Sequence, residues 1–165
     1  MDEASFRLFY EQSAPRLFAY LLRVTGQRPV AEDLLQEVYC RFLSSKLAEM
    51  NEAGQRSYVF RIATNLLRDR WRRRQEGPMP GDFPEPASGP PHLESRVGLR
   101  KAFQQLKMRE RQLLWLAYVE GSNHKEIAAL TGLRHTSVRL LLFRARRKLA
   151  NLIRTGTSGE TETSK

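Results

Sequence analysis

Cys40 is the only cysteine in the chain. One sulfur can neither close an internal disulfide nor build a cysteine-based metal cluster, so a reducing cytoplasm is the expected setting. Histidine is scarce as well. His92, His124 and His135 are scattered, and none stands at metal-ligand spacing from a carboxylate. No glycine-rich phosphate loop follows a strand pattern. With these signals missing, no enzyme, metal or cofactor is expected, and each histidine reads as a surface or capping residue. The apolar runs are only a few residues long, too short to insert in or span a membrane. The start, Met1-Asp2-Glu3, lacks the basic and apolar blocks of a signal peptide. Alternation with a period of two is also missing, so no sheet is expected.

Positive charge is abundant. The net charge is +10, and the segment 97–154 holds 13 basic against 3 acidic side chains, while residues 76–96 hold 1 against 4. A surplus so concentrated points to a polyanionic partner, nucleic acid before others.

Proline and glycine mark the organisation. EGPMPGDFPEPASGPP, residues 76–91, holds six of the eight prolines and three of the ten glycines. Proline removes backbone donors and glycine raises the entropy cost of ordering, so this stretch predicts a flexible linker. The expected layout is a helical domain at 1–75, a linker at 76–92, a second helical domain at 93–154 and a disordered tail at 155–165. The whole is all-α, two small helical domains joined by a tether.

Within the first domain Phe6, Phe9 and Tyr10, then Leu17, Leu21 and Val24, fall at helical spacing, with Pro15 at a first-turn position or a kink. A helix after Pro29 presents Val30, Leu34, Val38, Leu35, Tyr39 and Phe42 on a broad apolar face, and Cys40 reads as a small buried hydrophobe. A third helix, 57–74, turns Val59, Ile62, Ala63, Leu66 and Leu67 inward and its arginines outward. It ends in DRWRRR, where arginines suit phosphates and Tyr58, Phe60 and Trp71 could either stack on unpaired bases or serve as core.

The second domain predicts helices near 93–106, 109–119, 124–131 and 135–153. Leu99, Phe103 and Leu106 line the first, and Leu113, Leu114, Leu116 and Ala117 the second. Asn123 with Glu126 forms a variant capping box, Gly132 allows a tight turn, and Val138, Leu142, Ala145 and Leu149 share one stripe of a long basic helix. Short helix, glycine turn and basic helix make a helix-turn-helix plan.

These motifs, in this order, resemble the extracytoplasmic-function group of the sigma-70 family of bacterial RNA polymerase sigma factors. AEDLLQEVYCRF (31–42) looks like the family's polymerase-binding helix, which implies core contacts by Asp33, Gln36 and Glu37. SYVFRIATNLLRDRWRRR (57–74) is similar to the segment that opens and reads the minus-ten element. By resemblance Tyr58, Arg61, Asn65, Arg70, Arg72 and Arg73 would meet that DNA, and the loop 49–56 would hold a flipped base. EGSNHKEIAALTGLRHTSVRLLLFRARRKL (120–149) looks like the reader of the minus-thirty-five element, implying contacts from Arg134, His135, Thr136, Ser137, Arg139, Leu140, Arg144 and Arg147. Core RNA polymerase, promoter DNA and an anti-sigma protein are the implied partners.

The chain departs from the pattern in places. Arg134 replaces a small capping residue, which shifts the expected cap to Thr136, and Lys107 stands where a proline is usual. Leu140 and Leu141 replace a polar pair, with Phe143 adding apolar surface. By angle Leu140 should point away from the core, toward a thymine methyl or a partner protein. A helix-turn-helix regulator and a sigma-like interaction protein with weakened upstream DNA binding are the alternatives.

Overall fold

The computed structural model describes residues 1–46, 50–76 and 94–158, with side-chain surroundings for 1–46, 50–73 and 98–156. Seven helices occur among them: α1 Glu3–Thr25, α2 Arg28–Leu43, α3 Glu52–Glu76, α4 Glu94–Gln104, α5 Met108–Tyr118, α6 His124–Thr131 and α7 His135–Ser158. No strand occurs among the described residues.

The helix ends follow local chemistry. Asp2 caps α1, its Oδ1 accepting from the Ser5 amide at 2.7 Å. Gly26 closes α1 with φ +71°, its N–H donating to the Leu22 carbonyl. Pro15 lies inside α1 and the helix continues through it. Its ring denies a donor only to the Glu11 carbonyl, and both residues lie on the exposed side. Pro29 opens α2 within its first turn. Asn51 caps α3 through the Gly54 amide at 2.9 Å. That cap sets the start of α3 at Glu52, so most of the expected loop 49–56 is helix, and residues 47–49 lie outside the described ones.

The first three helices form a bundle around Leu17, Tyr20, Leu21, Phe42, Val59 and Leu67, all essentially inaccessible to solvent. Full burial of each such side chain contributes about 1.5–3 kcal/mol. At the open end Phe9 stacks on Phe42 with centroids 5.1 Å apart, and Tyr39 meets Phe6, Phe9 and Tyr10. The Tyr39 hydroxyl is satisfied by Ser13 Oγ at 2.7 Å, and burial pushes its pKa up to about 12. Cys40, expected inside, is exposed. It falls one and two turns beyond Gln36 and Asp33, on the polar side of α2, opposite Ala31, Leu34, Val38 and Phe42.

In the second bundle α7 packs against α4, α5 and α6. Ala102 and Leu106 are buried from the α4 side, whereas Leu99 is exposed, so the apolar stripe of α4 is shifted from the expected one. Lys107 precedes α5, and its amide donates to Glu110 Oε2 at 2.7 Å, which supplies a stop that a proline is not needed for. Helix α7 runs to Ser158, past the expected tail start at Thr155. Thr155 Oγ1 donates back to the Asn151 carbonyl, and extending a formed helix by a turn costs little. Of the linker expected at 76–92, Glu76 ends α3, and the rest lies outside the described residues, as do positions 159–165 of the expected tail.

The two bundles pack against each other, α1 on α5 and α3 on α6. Arg111 Nε and Nη2 both donate to the Val24 carbonyl, at 2.9 and 2.7 Å, while Nη1 reaches the Gln104 and Leu106 carbonyls. One guanidinium therefore covers the C-terminal carbonyl end of α1 and ties the α4–α5 turn. Gln112 Nε2 donates to the Tyr20 hydroxyl at 3.1 Å, and that hydroxyl also meets Thr64 Oγ1. Arg16 Nε lies 2.9 Å from Glu120 Oε2.

Candidate polymerase and nucleic-acid interfaces

Asp33, Gln36 and Glu37 are all exposed on one side of α2. Their spacing of three and four residues puts them on one stripe, away from the buried Leu34, Val38 and Phe42. Glu37 is held by Arg41 Nε at 2.6 Å along the helix. The stripe is polar and acidic on a helix whose other side is fully committed to the core, which suits a protein partner rather than DNA.

Helix α3 carries the second surface. Val59, Ile62, Ala63, Leu66 and Leu67 are buried, as expected. Arg61, Asn65, Arg68 and Arg72 repeat at four, three and four residues and so share a stripe. Arg61 and Arg72 are exposed, while Asn65 and Arg68 are half-buried. Arg68 Nη2 donates to Asn65 Oδ1 at 3.2 Å, so the Asn65 carbonyl is held along the stripe. Arg73 is exposed beside this stripe, whereas Arg70 is half-buried and lies off it. The aromatic residues are committed within the protein: Tyr58 lies 6.3 Å from Phe42, Phe60 5.5 Å from Tyr20, and the Arg109 guanidinium sits 5.7 Å from the Trp71 ring. Burial, followed by the nearby Arg68 charge, lowers the Arg109 pKa.

Helices α6 and α7 form the third. Asn123 and Glu126 exchange side-chain-to-backbone hydrogen bonds at 2.8 and 2.9 Å, completing the expected capping box. Gly132 adopts φ +72° and closes α6. Helix α7 starts at His135, with the Val138 amide bonded to the Arg134 carbonyl. The cap therefore remains at Arg134, and Thr136 sits inside the first turn. Arg134, His135, Thr136, Arg139, Leu140, Arg144 and Arg147 are exposed, with Ser137 half-buried. Leu140 is 49% exposed and points away from Val138, Leu142 and Ala145, as its angle predicts. Leu141 does not share that face; it is half-buried against the core. The Arg147 guanidinium lies 5.7 Å from the Phe143 ring, so the outer face of α7 mixes cations with two large apolar groups.

Tyr118 and Lys125 belong to this surface although no sequence pattern marks them. Tyr118, Lys125 and Arg146 join His124 and His135 around an open cavity of about 550 Å³ beside the starts of α6 and α7. The Arg146 guanidinium donates to the Tyr118 hydroxyl at 2.9 Å, and the two imidazoles lie 6.0 Å apart. Only folding brings α5, α6 and α7 to one edge, so no spacing rule could have assembled them. A second cavity, about 730 Å³, opens between the bundles, with Arg16, Arg56 and Arg61 on one side and Glu120 and Glu126 on the other. No cluster of metal-ligating side chains occurs among the described residues, and no described helix is long and apolar enough to cross a membrane.

Residues 9–76 match the family model for Sigma-70 region 2, and residues 96–149 that for Sigma-70, region 4. The chain is 32% identical to the RNA polymerase sigma factor CarQ of Myxococcus xanthus over 158 residues, covering 90% of this chain and 89% of that one. It is 25% identical to the ECF RNA polymerase sigma factor SigM of Bacillus subtilis, covering 92% and 96%. The sigma factor RpoE, solved in complex with the anti-sigma factor NepR from Bartonella quintana, shares the fold with a TM-score of 0.64 at 22% identity, over 91% of this chain and 97% of that chain. The exposed stripe of α2, the basic stripe of α3 and the helix-turn-helix of α6 and α7 thus belong to an extracytoplasmic-function RNA polymerase sigma factor of the sigma-70 family.

Proposed function

We propose that the chain divides initiation among its three surfaces. Asp33, Gln36 and Glu37 of α2 dock on core RNA polymerase. The α3 stripe engages the opened minus-ten element, Asn65 hydrogen-bonding a base and Arg61, Arg72 and Arg73 neutralising phosphates. Helix α7 meets the duplex at the minus-thirty-five element through Arg139, Arg144 and Arg147, with Arg134, His135, Thr136 and Ser137 at its leading end. Leu140 offers an apolar contact that suits a thymine methyl. Tyr58 and Arg70 contribute by supporting α3 rather than by facing DNA. The protein acts in the cytoplasm, by positioning rather than by chemistry of its own, and an anti-sigma protein masks these faces when the factor is idle.

The observation that carries this reading is the presence of two separate basic faces, on α3 and α7, together with an acidic-polar face on α2. A helix-turn-helix regulator needs only the α7 face, and leaves Asp33, Gln36 and Glu37 and the Asn65 stripe without a use. Phosphate contacts weaken all sequences alike, whereas a base contact changes preference. Binding of the chain with core enzyme to a set of minus-ten non-template strands tests the division. Asn65→Ala is expected to flatten the preference among strands, and Arg72→Ala with Arg73→Ala to lower all affinities together. An Asn65→Ala protein that loses affinity equally for every strand contradicts the assignment of Asn65.

A further inference from the structure

We propose that Tyr118, His124, Lys125, His135 and Arg146 form a seat for the phosphate backbone of the upstream duplex, and that its two imidazoles tighten upstream binding as the pH falls. This rests on the assignment of α7 to the minus-thirty-five element.

The seat is cationic throughout. Its open cavity, about 550 Å³, gathers side chains from α5, α6 and α7. No carboxylate is among its lining residues. The two nearest along the chain, Glu120 and Glu126, line the other cavity, where Glu120 meets Arg16. Glu126 is also tied to the Asn123 amide. The Arg146 guanidinium donates to the Tyr118 hydroxyl at 2.9 Å, so that the hydroxyl's own hydrogen can be offered to an anion. The His124 and His135 rings lie 6.0 Å apart. With Lys125 and Arg146 on the same cavity, a metal cation between the imidazoles would be repelled, whereas a phosphate oxygen would be drawn in.

The seat also lies where a backbone would pass. Along α7, His135, Arg139 and Arg146 are spaced by four and seven residues and share one flank, while Leu140, Arg144 and Arg147 share another. A helix lying in the major groove has a phosphate backbone along each side. Arg144 and Arg147 meet one of them, and the seat, widened by α5 and α6, meets the other. Tyr118, Lys125, His135 and Arg146 are exposed, His124 is half-buried, and Arg134 and Arg139 are the exposed cations next along α7. Imidazole changes its charge between pH 5 and 8. Two imidazolium charges this close, with two further cations beside them, repel one another unless an anion lies among them. Proton uptake and backbone binding therefore favour each other. The histidines set how many charges the seat presents, while Lys125 and Arg146 present theirs throughout that range.

The test is binding of the chain with core enzyme to a duplex spanning the minus-thirty-five element of a promoter it initiates from, followed by fluorescence anisotropy in phosphate-free buffer. From about pH 8 to about pH 6 the wild-type affinity is expected to rise about tenfold, the net worth of one charge-assisted hydrogen bond. The fall of log affinity with log salt should steepen by roughly 1 to 2, about 0.9 for each imidazolium brought to the DNA. His124→Gln with His135→Gln should hold the weaker affinity and the shallower slope at both pH values, with His92 retained as an internal control. His124→Lys with His135→Lys should bind tightly at both, and it decides the matter should the glutamine variant fail to fold. A minus-ten non-template strand should bind all three proteins alike. The seat is overturned by a wild-type affinity and slope that do not change with pH, by a pH response that survives either double variant, or by unequal binding of the minus-ten strand. Arg144→Ala with Arg147→Ala that leaves upstream binding intact at both pH values would instead strike the assignment of α7 to DNA.

Discussion

Tyr20 stands where α1, α3 and α5 meet, fully buried, with its hydroxyl shared between Thr64 and Gln112. Burial pushes its pKa up to about 12, against the opposing pull of those two hydrogen bonds. Because the folded value lies above the ordinary 10.0, its contribution to stability is complete below pH 10 and is lost as the pH rises toward 12. Tyr39 is raised in the same sense and adds to that loss. Denaturation followed between pH 8 and 12 should show stability falling across this window. Tyr20→Phe should cost about 1–3 kcal/mol at neutral pH, since it strands the two partners, and should make the alkaline fall shallower. A Tyr20→Phe protein as stable as wild type would show that the hydroxyl network contributes nothing. Tyr20 was not singled out in the sequence, because the three residues of its network are separated by 44 and 92 positions. Cys40 failed for a different reason: its neighbours Tyr39 and Phe42 are apolar, but its angle belongs with Asp33 and Gln36.

At the scale of elements, periodicity and caps carried most of the reading. The buried faces of α2 and α3, the Asn123–Glu126 box and the Gly132 turn were all legible, since each is decided within a few residues. The ends of α3 and α7 were not. Asn51 nucleates α3 earlier than its apolar pattern begins, and α7 persists beyond its last core contact. Two predictions belong here. Gly132→Ala should destabilise the protein by about 1 kcal/mol, because φ +72° disfavours a side chain, while the Arg68 guanidinium beside it can swing aside. Thermal melts check it, and an unchanged melting temperature would contradict it. Alanine at Asp33, Gln36 and Glu37 together should abolish co-purification with core enzyme while circular dichroism stays unchanged, since exposed substitutions usually cost less than about 0.5 kcal/mol. Undiminished core binding by that variant would remove α2 from the polymerase interface.

At the scale of the whole molecule, the net charge of +10 and its concentration in the second half announced the polyanion partner. The contact between bundles was out of reach, because its specific links are made by dispersed polar residues such as Arg16, Gln112 and Glu120 that carry no periodic signature. Composition at 76–91 argued for independent domains, whereas the described helices of the two bundles pack on each other. The three surfaces matter only if they act together on one polymerase. Run-off transcription by core enzyme from a promoter library, with and without the chain, measures that directly. The expected result is initiation at a defined subset of promoters only when the chain is present, lost on alanine substitution of Asp33, Gln36 and Glu37. A chain that binds these promoters yet yields no transcript with core enzyme would contradict it.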